Sequence, residues 1–353
     1  MHPKANPVVL VTAVGAPPGL NALRALKESN RYRLIAADAD IHSPALYHFK
    51  TNHVVLPKAS NKDAYLETLF TLIAKEHISV ILPCIEEEIL LLSEYRDELE
   101  THGVKILLPE RSLVEKATDK GISTFIALQN HIDCPRSILV RARPGIESIA
   151  ASVDQFLCEC SFPWISKPTM GHGMRGFLKI SSIEEAIRIL THAREDLIIQ
   201  EFIPGSIGSM HLVGLLYDEN NRVVRRFSSR SIRTFFPGGG PATAGISIQN
   251  ENLIEETERM MRLIGHWRGP VNVEWMLDPR DNRMKFIEIN PRLWGYGYLA
   301  VRAGINFPVD TVDLSLGRNV GPDPGYRLGV TMLRITEDII FEKCPFPIEQ
   351  ELG

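Results

Sequence analysis

Acidic and amide side chains recur at alternate positions on both sides of one dense turn signal. Residues 278–282 read Asp-Pro-Arg-Asp-Asn and separate two runs in which polar and apolar residues alternate. A hairpin centred on this turn places Glu274 opposite Glu288 and Asn272 opposite Asn290, with all four side chains on one face. The other face would be the core face and holds five apolar residues: Val271, Val273, Trp275, Ile287 and Ile289.

Two carboxylates that face each other across a hairpin repel, and a divalent cation between them would offset that repulsion. Glu274, Glu288 and Asn290 together supply two carboxylates and an amide oxygen. Such hard oxygen ligands suit Mg²⁺, which also takes water and phosphate oxygens as ligands. The alternative is the solvated polar face of an ordinary hairpin, and a register shift of one residue would break the pairing.

A lysine followed by a glycine-rich stretch indicates a second polar site. Lys167 ends the apolar strand 164–167, and Gly171, Gly173 and Gly176 follow it. Glycines let the backbone approach a ligand and present N–H groups to anionic oxygens, while a lysine acts as a point charge on a phosphate. The spacing is not that of a Walker A loop. A flexible turn beside an exposed lysine is the alternative.

A third polar feature ends the apolar strand 197–200. Glu201, Phe202 and Ile203 come next and lead into a Pro-Gly break. The backbone groups at such a strand end can pair with the edge of a purine. Taken alone, the segment is more simply interpreted as a strand that meets a turn.

The elements that must position these residues follow two different patterns of predicted secondary structure. Up to about residue 110, continuous apolar strands alternate with amphipathic helices, which predicts a parallel sheet covered on both faces. Longer strands with antiparallel hairpins dominate the later part. The elements predicted before residue 110 include a helix over Glu86–Leu99 and a strand over Val104–Leu107, and in the later part Ser181 is predicted to cap a helix over Ile183–His192.

Composition limits the classes of protein. The chain has 353 residues, of which 44% are hydrophobic, and this length suits two or three domains. A formal net charge of −4 gives no bulk reason to expect nucleic acid or an anionic membrane as a partner. We find no apolar run of transmembrane length and no signal-peptide core. Five scattered cysteines lack disulfide or zinc spacing, so we expect a soluble protein in a reducing, cytoplasmic compartment.

The order of these features resembles the ATP-grasp superfamily, and in particular carbamoyl-phosphate-synthase-like and carboligase-like members. The likeness covers nearly the whole chain and implies a mixed α/β and α+β fold. A Rossmann-like pre-ATP-grasp domain would occupy residues 1–112, followed by a two-lobed ATP-grasp fold. Residues 113–205 would hold linker helices and the small lobe (about 135–200), and residues 206–353 the large lobe with the metal site.

The resemblance also implies site residues. Lys120, in Thr118-Asp119-Lys120, and Lys167 match lysines that contact ATP phosphates, and Gly171–Gly176 matches the loop that folds over them. The other matches are the adenine-contacting hinge (Glu201, Phe202 and Ile203), the magnesium ligands (Glu274, Glu288 and Asn290), and Arg292, which would help to hold the reacting group.

Two features depart from the family pattern or leave the register open. The stretch 208–212 lacks the acidic residue that family members often place near the ribose, so His211 or Ser209 would substitute for it. Arg230 and Arg233 stand where members place a basic contact to phosphate or substrate, with solvated arginines as the alternative.

The resemblance implies an ATP- and Mg²⁺-dependent ligase, with two Mg²⁺ ions and Mn²⁺ as the alternative metal. A small-molecule carboxylate would be activated as an acylphosphate and attacked by an amine, with Arg292 and Lys167 in catalytic roles. A homodimer is left open. The alternatives are a kinase whose end product is a phosphorylated carboxylate or carbamate, and an inactive ATP-binding sensor. A dinucleotide oxidoreductase is disfavoured because Gly15 and Gly19 do not form G-x-G-x-x-G.

Overall fold

A computed structural model describes residues 6–171, 175–205, 207–236 and 239–346. Within these ranges the strands form three sheets, in residues 8–82, 137–201 and 210–333. None of the helices in the same ranges is both long enough and apolar enough to span a bilayer.

The first sheet is parallel and four-stranded, in the order β3-β2-β1-β4. Successive residues of its central strand enter two different cores: Val9 and Val11 pack on one face, and Val8 and Leu10 on the other. The sheet is therefore covered on both faces, as the continuous apolar strands predict. Its strands are β1 (Val8–Val11), β2 (Arg33–Asp38), β3 (Asn52–Val55) and β4 (Val80–Leu82), and its helices are α1 (Pro17–Ser29), α2 (Ala45–His48), α3 (Lys62–Glu76), α4 (Glu86–Glu94) and α5 (Arg96–Thr101).

Two helices lead to the second sheet, which is antiparallel, four-stranded and ordered β5-β8-β6-β7. The Asp119 side chain caps the second of these helices by accepting from the Ile122 N–H at 2.9 Å, so Lys120 is its first residue. The elements are α6 (Arg111–Thr118), α7 (Lys120–Gln129), β5 (Ser137–Val140), α8 (Ile146–Glu159), β6 (Trp164–Pro168), β7 (Leu178–Ile180), α9 (Ile183–Thr191) and β8 (Leu197–Glu201).

The third sheet is antiparallel and six-stranded, in the order β13-β12-β9-β10-β11-β14. The hairpin that carries Glu274 and Glu288 is one edge of this sheet. Its elements are β9 (Met210–Tyr217), β10 (Val223–Phe236), β11 (Gly239–Ser247), α10 (Glu251–Ile264), β12 (Gly269–Asp278), β13 (Arg283–Asn290), α11 (Tyr298–Ala303), α12 (Phe307–Ser315) and β14 (Thr331–Leu333). This architecture confirms the predicted fold class; the domain ranges 1–112, 113–205 and 206–353 stay proposals.

The first domain packs directly on the third sheet. One buried apolar cluster joins Val11 of β1 to Leu212 of β9 and to Trp294 and Phe307. At the rim of this contact the Tyr32 hydroxyl donates to Asp313 at 2.8 Å. The shared core fixes where the loops of the first domain meet the large lobe.

Three local predictions were wrong. The apolar residues of Val104–Leu107 are buried, but the run forms only one bridge, between Lys105 and Val80, so it is not a strand. The helix expected over Glu86–Leu99 is interrupted at Tyr95 and forms α4 and α5. Ser182, not Ser181, caps α9, because the Ser182 hydroxyl accepts from the Glu185 N–H at 3.2 Å.

Candidate functional site

One cavity of about 510 Å³ lies where the three sheets meet. Its walls include the candidate residues from every part of the chain. At one end are Lys120, Lys167, Glu274, Glu288, Asn290 and Arg292; toward the small lobe are Gln200, Glu201, Phe202, Ile203, Met210 and His211; toward the first domain are Ala16, Pro17, Cys84, Ile85 and Glu86. A cavity of this size suits a small-molecule ligand.

The hairpin has the predicted register at its polar end. Glu274 pairs with Glu288 and Asn272 with Asn290. The Asn290 amide nitrogen lies 3.5 Å from Oε1 of Glu274 and 3.4 Å from Oε1 of Glu288. The three proposed magnesium ligands therefore converge on one point.

The electrostatics of this point favour a cation. Burial, and next the charge of Glu288, raise the pKa of the Glu274 carboxyl above its ordinary value. The described residues contain no group of three or more His, Cys, Asp or Glu side chains that could hold a metal ion, so two carboxylates are the charged part of the donor set. Mg²⁺ fits such a set because it keeps water and phosphate oxygens as further ligands. Asn290 would have to turn its amide oxygen toward the ion, since that oxygen now accepts from Arg292 at 3.0 Å.

A β-bulge changes the other face of the hairpin. After the Glu274–Glu288 pair, Trp275 pairs with Phe286, so Ile287 is the extra residue. Phe286 takes the core position beside Trp275, and Ile287 lines the cavity. The prediction that Ile287 belongs to the core face was therefore wrong, while Val271, Val273, Trp275 and Ile289 are buried in the core.

Both candidate lysines lie near the carboxylate pair, and Lys120 contacts it directly. Nζ of Lys120 lies 3.4 Å from Oε2 of Glu288 and donates to the Gly171 carbonyl at 2.5 Å. Burial lowers the pKa of Lys167 to about 8, Glu288 opposes that shift, and Lys120 adds to it. Lys167 is thus a second lysine at this end of the cavity, and Glu288 favours its charged form.

Arg292 is held from two domains. Its Nε donates to Glu86 Oε1 at 2.9 Å, its Nη2 to Asn290, and its Nη1 to the Leu293 carbonyl at 3.3 Å. Glu86 is the first residue of α4 in the first domain. Nothing local in the sequence indicates that Glu86 is the partner of Arg292.

The glycine-rich stretch is described in part. Gly171 and Gly176 have φ of 124° and 70°, which favour glycine, and Gly171 lines the cavity. Gly173 lies outside the described residues.

The proposed hinge lines the other end of the cavity. Glu201 Oε1 accepts from the Arg136 N–H at 3.1 Å, and its Oε2 accepts from Arg280 at 3.1 Å. Phe202 lies under the Lys179 ammonium, 4.5 Å from the ring centroid. Arg280 was missed as a partner of the hinge, since its place in the turn 278–282 suggests only a solvated residue.

The remaining candidates divide between the cavity and the surface. His211 lines the cavity; burial lowers the pKa of His211, and its Nδ1 lies 3.0 Å from the Ser209 carbonyl oxygen. Arg230 and Arg233 are exposed and are not among the lining residues, whereas Ser231 and Thr234 of the same strand are. The structure therefore does not bring these two arginines to the carboxylate pair.

Comparisons with known proteins agree with this geometry. Residues 9–107 match the family described as "PylC-like, N-terminal domain", and residues 117–296 match the ATP-grasp domain. The D-aspartate ligase of Enterococcus faecium (strain Aus0004) is 22% identical over 292 residues, which are 76% of this chain and 67% of the relative. The carbamoyl phosphate synthase large chain of Vibrio cholerae is 23% identical over 349 residues, 94% of this chain but only 30% of the relative.

A solved structure shares the fold. The biotin carboxylase domain of Hydrogenobacter thermophilus 2-oxoglutarate carboxylase, determined with MgADP, ADP and bicarbonate, superposes with a TM-score of 0.69 at 16% identity. The match covers 94% of this chain and 74% of that one. Since the ATP-grasp domain match alone spans more than half of the sequence, residues 117–296, this chain belongs to the ATP-grasp family.

Proposed function

We propose that this chain is an ATP- and Mg²⁺-dependent ligase that activates a carboxylate as an acylphosphate and joins it to an amine. One observation carries the proposal. The paired carboxylates Glu274 and Glu288 share a cavity wall with Lys167 and Arg292, and the strand end at Glu201 lines the same cavity. This arrangement provides for a triphosphate at one end and a base at the other.

Glu274, Glu288 and Asn290 would hold magnesium, with two ions as the proposed number and Mn²⁺ as an alternative. When bound, the metal would supply neutralisation of phosphate charge. The H. thermophilus domain, which shares the fold, was determined with MgADP.

The lysines and the hinge would position ATP. Lys120 and Lys167 lie beside the carboxylate pair and would bind phosphate oxygens. Glu201, Phe202 and Ile203 would contact the adenine, and His211 the ribose. Gly171 and Gly176 would contribute backbone contacts to the phosphates, with Gly173 as a further proposed contact; Arg230 and Arg233 are exposed and would act only on groups at the surface.

Arg292 would hold the carboxylate that reacts. An oxygen of that carboxylate forms a bond to the γ-phosphorus while the bond from this phosphorus to the β,γ-bridging oxygen breaks, and ADP leaves. The amine nitrogen then bonds to the acyl carbon, the carbon–oxygen bond to phosphate breaks, and inorganic phosphate leaves as the nitrogen loses a proton. Arg292 would stabilise negative charge on the acyl oxygens in both steps.

The relatives support this class of reaction. One relative is named a D-aspartate ligase and another a carbamoyl phosphate synthase large chain. The chain spans under a third of the latter, so only the ATP-dependent activation is carried over. We extend the proposal to small-molecule acid and amine substrates, a cytoplasmic location and a homodimer.

ADP and phosphate release with Mg²⁺-ATP, measured over a matrix of carboxylic acids and amines, tests the proposal. We expect at least one pair in which both ADP and phosphate appear and both depend on the amine. ADP release with a stable acylphosphate as the end product would identify a kinase instead. Tight ATP binding without release for any pair would identify a sensor.

A further inference from the structure

Leu333, the last residue of β14, and the two residues after it reverse the usual distribution of charged and apolar side chains. Leu333 and Ile335 are 74% and 79% exposed, whereas Arg334 between them lines the cavity. Because side chains alternate along extended backbone, Arg334 shares its face with Met332, which packs against the buried core. An inward charge and two outward apolar residues are both unfavourable for folding, and such conflicts are expected at functional sites.

The contacts of Arg334 leave its charge uncompensated. Its backbone N–H donates to the Thr243 carbonyl at 2.7 Å, and its Nη2 donates to the Gly295 carbonyl. Within the described part of the chain, no carboxylate lies at ion-pairing distance from this guanidinium. By contrast, Arg292 forms an ion pair with Glu86, and Lys120 forms one with Glu288.

Burial lowers the pKa of Arg334, and no neighbouring charge contributes to that shift. A guanidinium that has lost part of its hydration and has no counter-ion provides strong donors for an anionic ligand. Its planar fork matches the two oxygens of a carboxylate. The cavity at Arg334 is therefore suited to a carboxylate.

The position of Arg334 relative to Arg292 limits the size of that ligand. Arg292 donates to the Leu293 carbonyl and Arg334 to the Gly295 carbonyl, which are two residues apart. Two residues span at most about 7 Å, so the two guanidiniums are anchored within the length of a small molecule. The Gly295 carbonyl also accepts from Asn21 of α1 at 2.8 Å, which puts Arg334 at the side of the cavity nearest the first domain.

We propose that Arg334 binds a second, non-reacting carboxylate of the substrates and thereby selects for them. The inference rests on the proposed function, because Arg292 is taken to hold the reacting carboxylate. The second carboxylate would belong either to an amino acid that serves as the amine or to a dicarboxylic acid that serves as the acyl donor. In both cases the group that Arg334 binds is a carboxylate, which lies about the length of one small molecule from the reaction centre.

Matched ligand pairs test this proposal by binding, without need of turnover. The probes are the common amino acids against their α-amides, and succinate and glutarate against their monoamides. Binding is measured by calorimetry in the presence of Mg²⁺ and a non-hydrolysable ATP analogue. We expect the full-length protein to bind one acid at least tenfold more tightly than its amide, as a charge-assisted hydrogen bond implies. The pair that discriminates identifies which substrate carries the second carboxylate.

Three variants separate charge from packing. Arg334→Gln keeps a donor for the Gly295 carbonyl but removes the charge, so the preference for acid over amide should fall to about twofold or less. Arg334→Lys should keep part of the preference. Arg327→Gln is the matched control, because Arg327 is exposed and also donates to a backbone carbonyl, that of Arg302 at 2.6 Å. It should behave as the unaltered protein.

Equal binding of every acid and its amide would overturn the proposal, as would an Arg334→Gln protein that keeps the preference. Weaker binding of the ATP analogue, with acid binding unchanged, would also overturn it by assigning Arg334 to the nucleotide. A binding preference without ADP release from any pair would contradict the proposed function and leave the role of Arg334 intact. Amine-dependent ADP release without any preference for acid over amide would support the proposed function and contradict the role of Arg334.

Discussion

Arg292 of the large lobe and Glu86 of the first domain form an ion pair, with 2.9 Å between Nε and Oε1. Both side chains are mostly buried at the end of the cavity that holds the carboxylate pair. The same guanidinium donates to Asn290, one of the proposed metal ligands. The first domain thus helps to orient the residue that would hold the reacting carboxylate.

Replacement of Glu86 by Gln tests that positioning role. The ion pair would become a neutral hydrogen bond, and we expect kcat/KM for the carboxylate to fall about tenfold, since bonds between charged groups contribute roughly 1.5–3 kcal/mol. KM for ATP should change less, because Glu86 is in α4 of the first domain and is not among the proposed contacts of ATP. Steady-state kinetics with each substrate varied in turn measure this; an effect confined to KM for ATP would contradict it.

The carboxylate pair should be essential for metal-dependent turnover. Glu288→Gln removes one of the two proposed charged ligands, and we expect kcat to fall at least about a hundredfold and the Mg²⁺ requirement to rise. Glu100→Gln, an equal charge change on an exposed residue of α5, is the control. Magnesium titrations of ADP release are the measurement. Unchanged turnover in the Glu288 variant would show that the hairpin does not bind the metal.

Gly214 should tolerate no side chain. A Cβ there would lie 2.4 Å from the Trp294 ring, which is buried beside Arg292. Gly214→Ala should lower the free energy of unfolding by about 1–3 kcal/mol, as overpacking does. In Gly245→Ala, the atom nearest to the new Cβ would lie 3.5 Å from it, which is an ordinary contact. The free energy of unfolding of that variant should therefore be nearly unchanged. Denaturant unfolding of both variants tests the contrast, which similar losses in the two would refute.

The stability of the first domain should depend on pH through Glu88. This buried carboxylate accepts from the hydroxyls of Thr12 and Tyr65, and burial raises the pKa of Glu88 from 4.5 to about 7. The folded protein therefore binds the proton more tightly than the unfolded chain. That contribution is complete below pH 4.5 and is lost as the pH rises through about 7.

Glu88→Gln removes this titration. At about 1.4 kcal/mol for each pKa unit, the wild type should lose roughly 3 kcal/mol relative to the variant between pH 4.5 and pH 8. Denaturant unfolding of both proteins across that range measures the difference. A difference that stays constant with pH would mean that Glu88 is not buried as a neutral acid.

The sequence was sufficient to predict those features of the structure that depend on local rules alone. The turn 278–282 and the period of two gave the pairing of Glu274 with Glu288, because a hairpin register depends on its turn and its apolar face. The position of Ile287 could not be predicted, since neither the turn nor the period of two indicates a bulge after the Glu274–Glu288 pair. Val104–Leu107 has the composition of a strand but forms only one bridge with its neighbour.

The other features that could not be predicted depend on contacts between residues that are distant in the sequence. Glu86 and Arg292 are 206 positions apart, and no local pattern in either segment indicates the other. Arg334 differs, because the alternation of Leu333, Arg334 and Ile335 is a local signal, but it can be interpreted only once β14 is known to end at Leu333. That short strand has three residues, too few for its period to be recognised beforehand.

The most direct test of the central claim is the transfer of oxygen from the substrate carboxylate. With both carboxylate oxygens labelled as ¹⁸O, a reaction through an acylphosphate at Arg292 places one ¹⁸O atom in the released phosphate and none in ADP. Mass spectrometry of the phosphate and the nucleotide gives the answer from a single turnover. One labelled oxygen in each phosphate is the predicted result; unlabelled phosphate, or label in AMP, would contradict the mechanism.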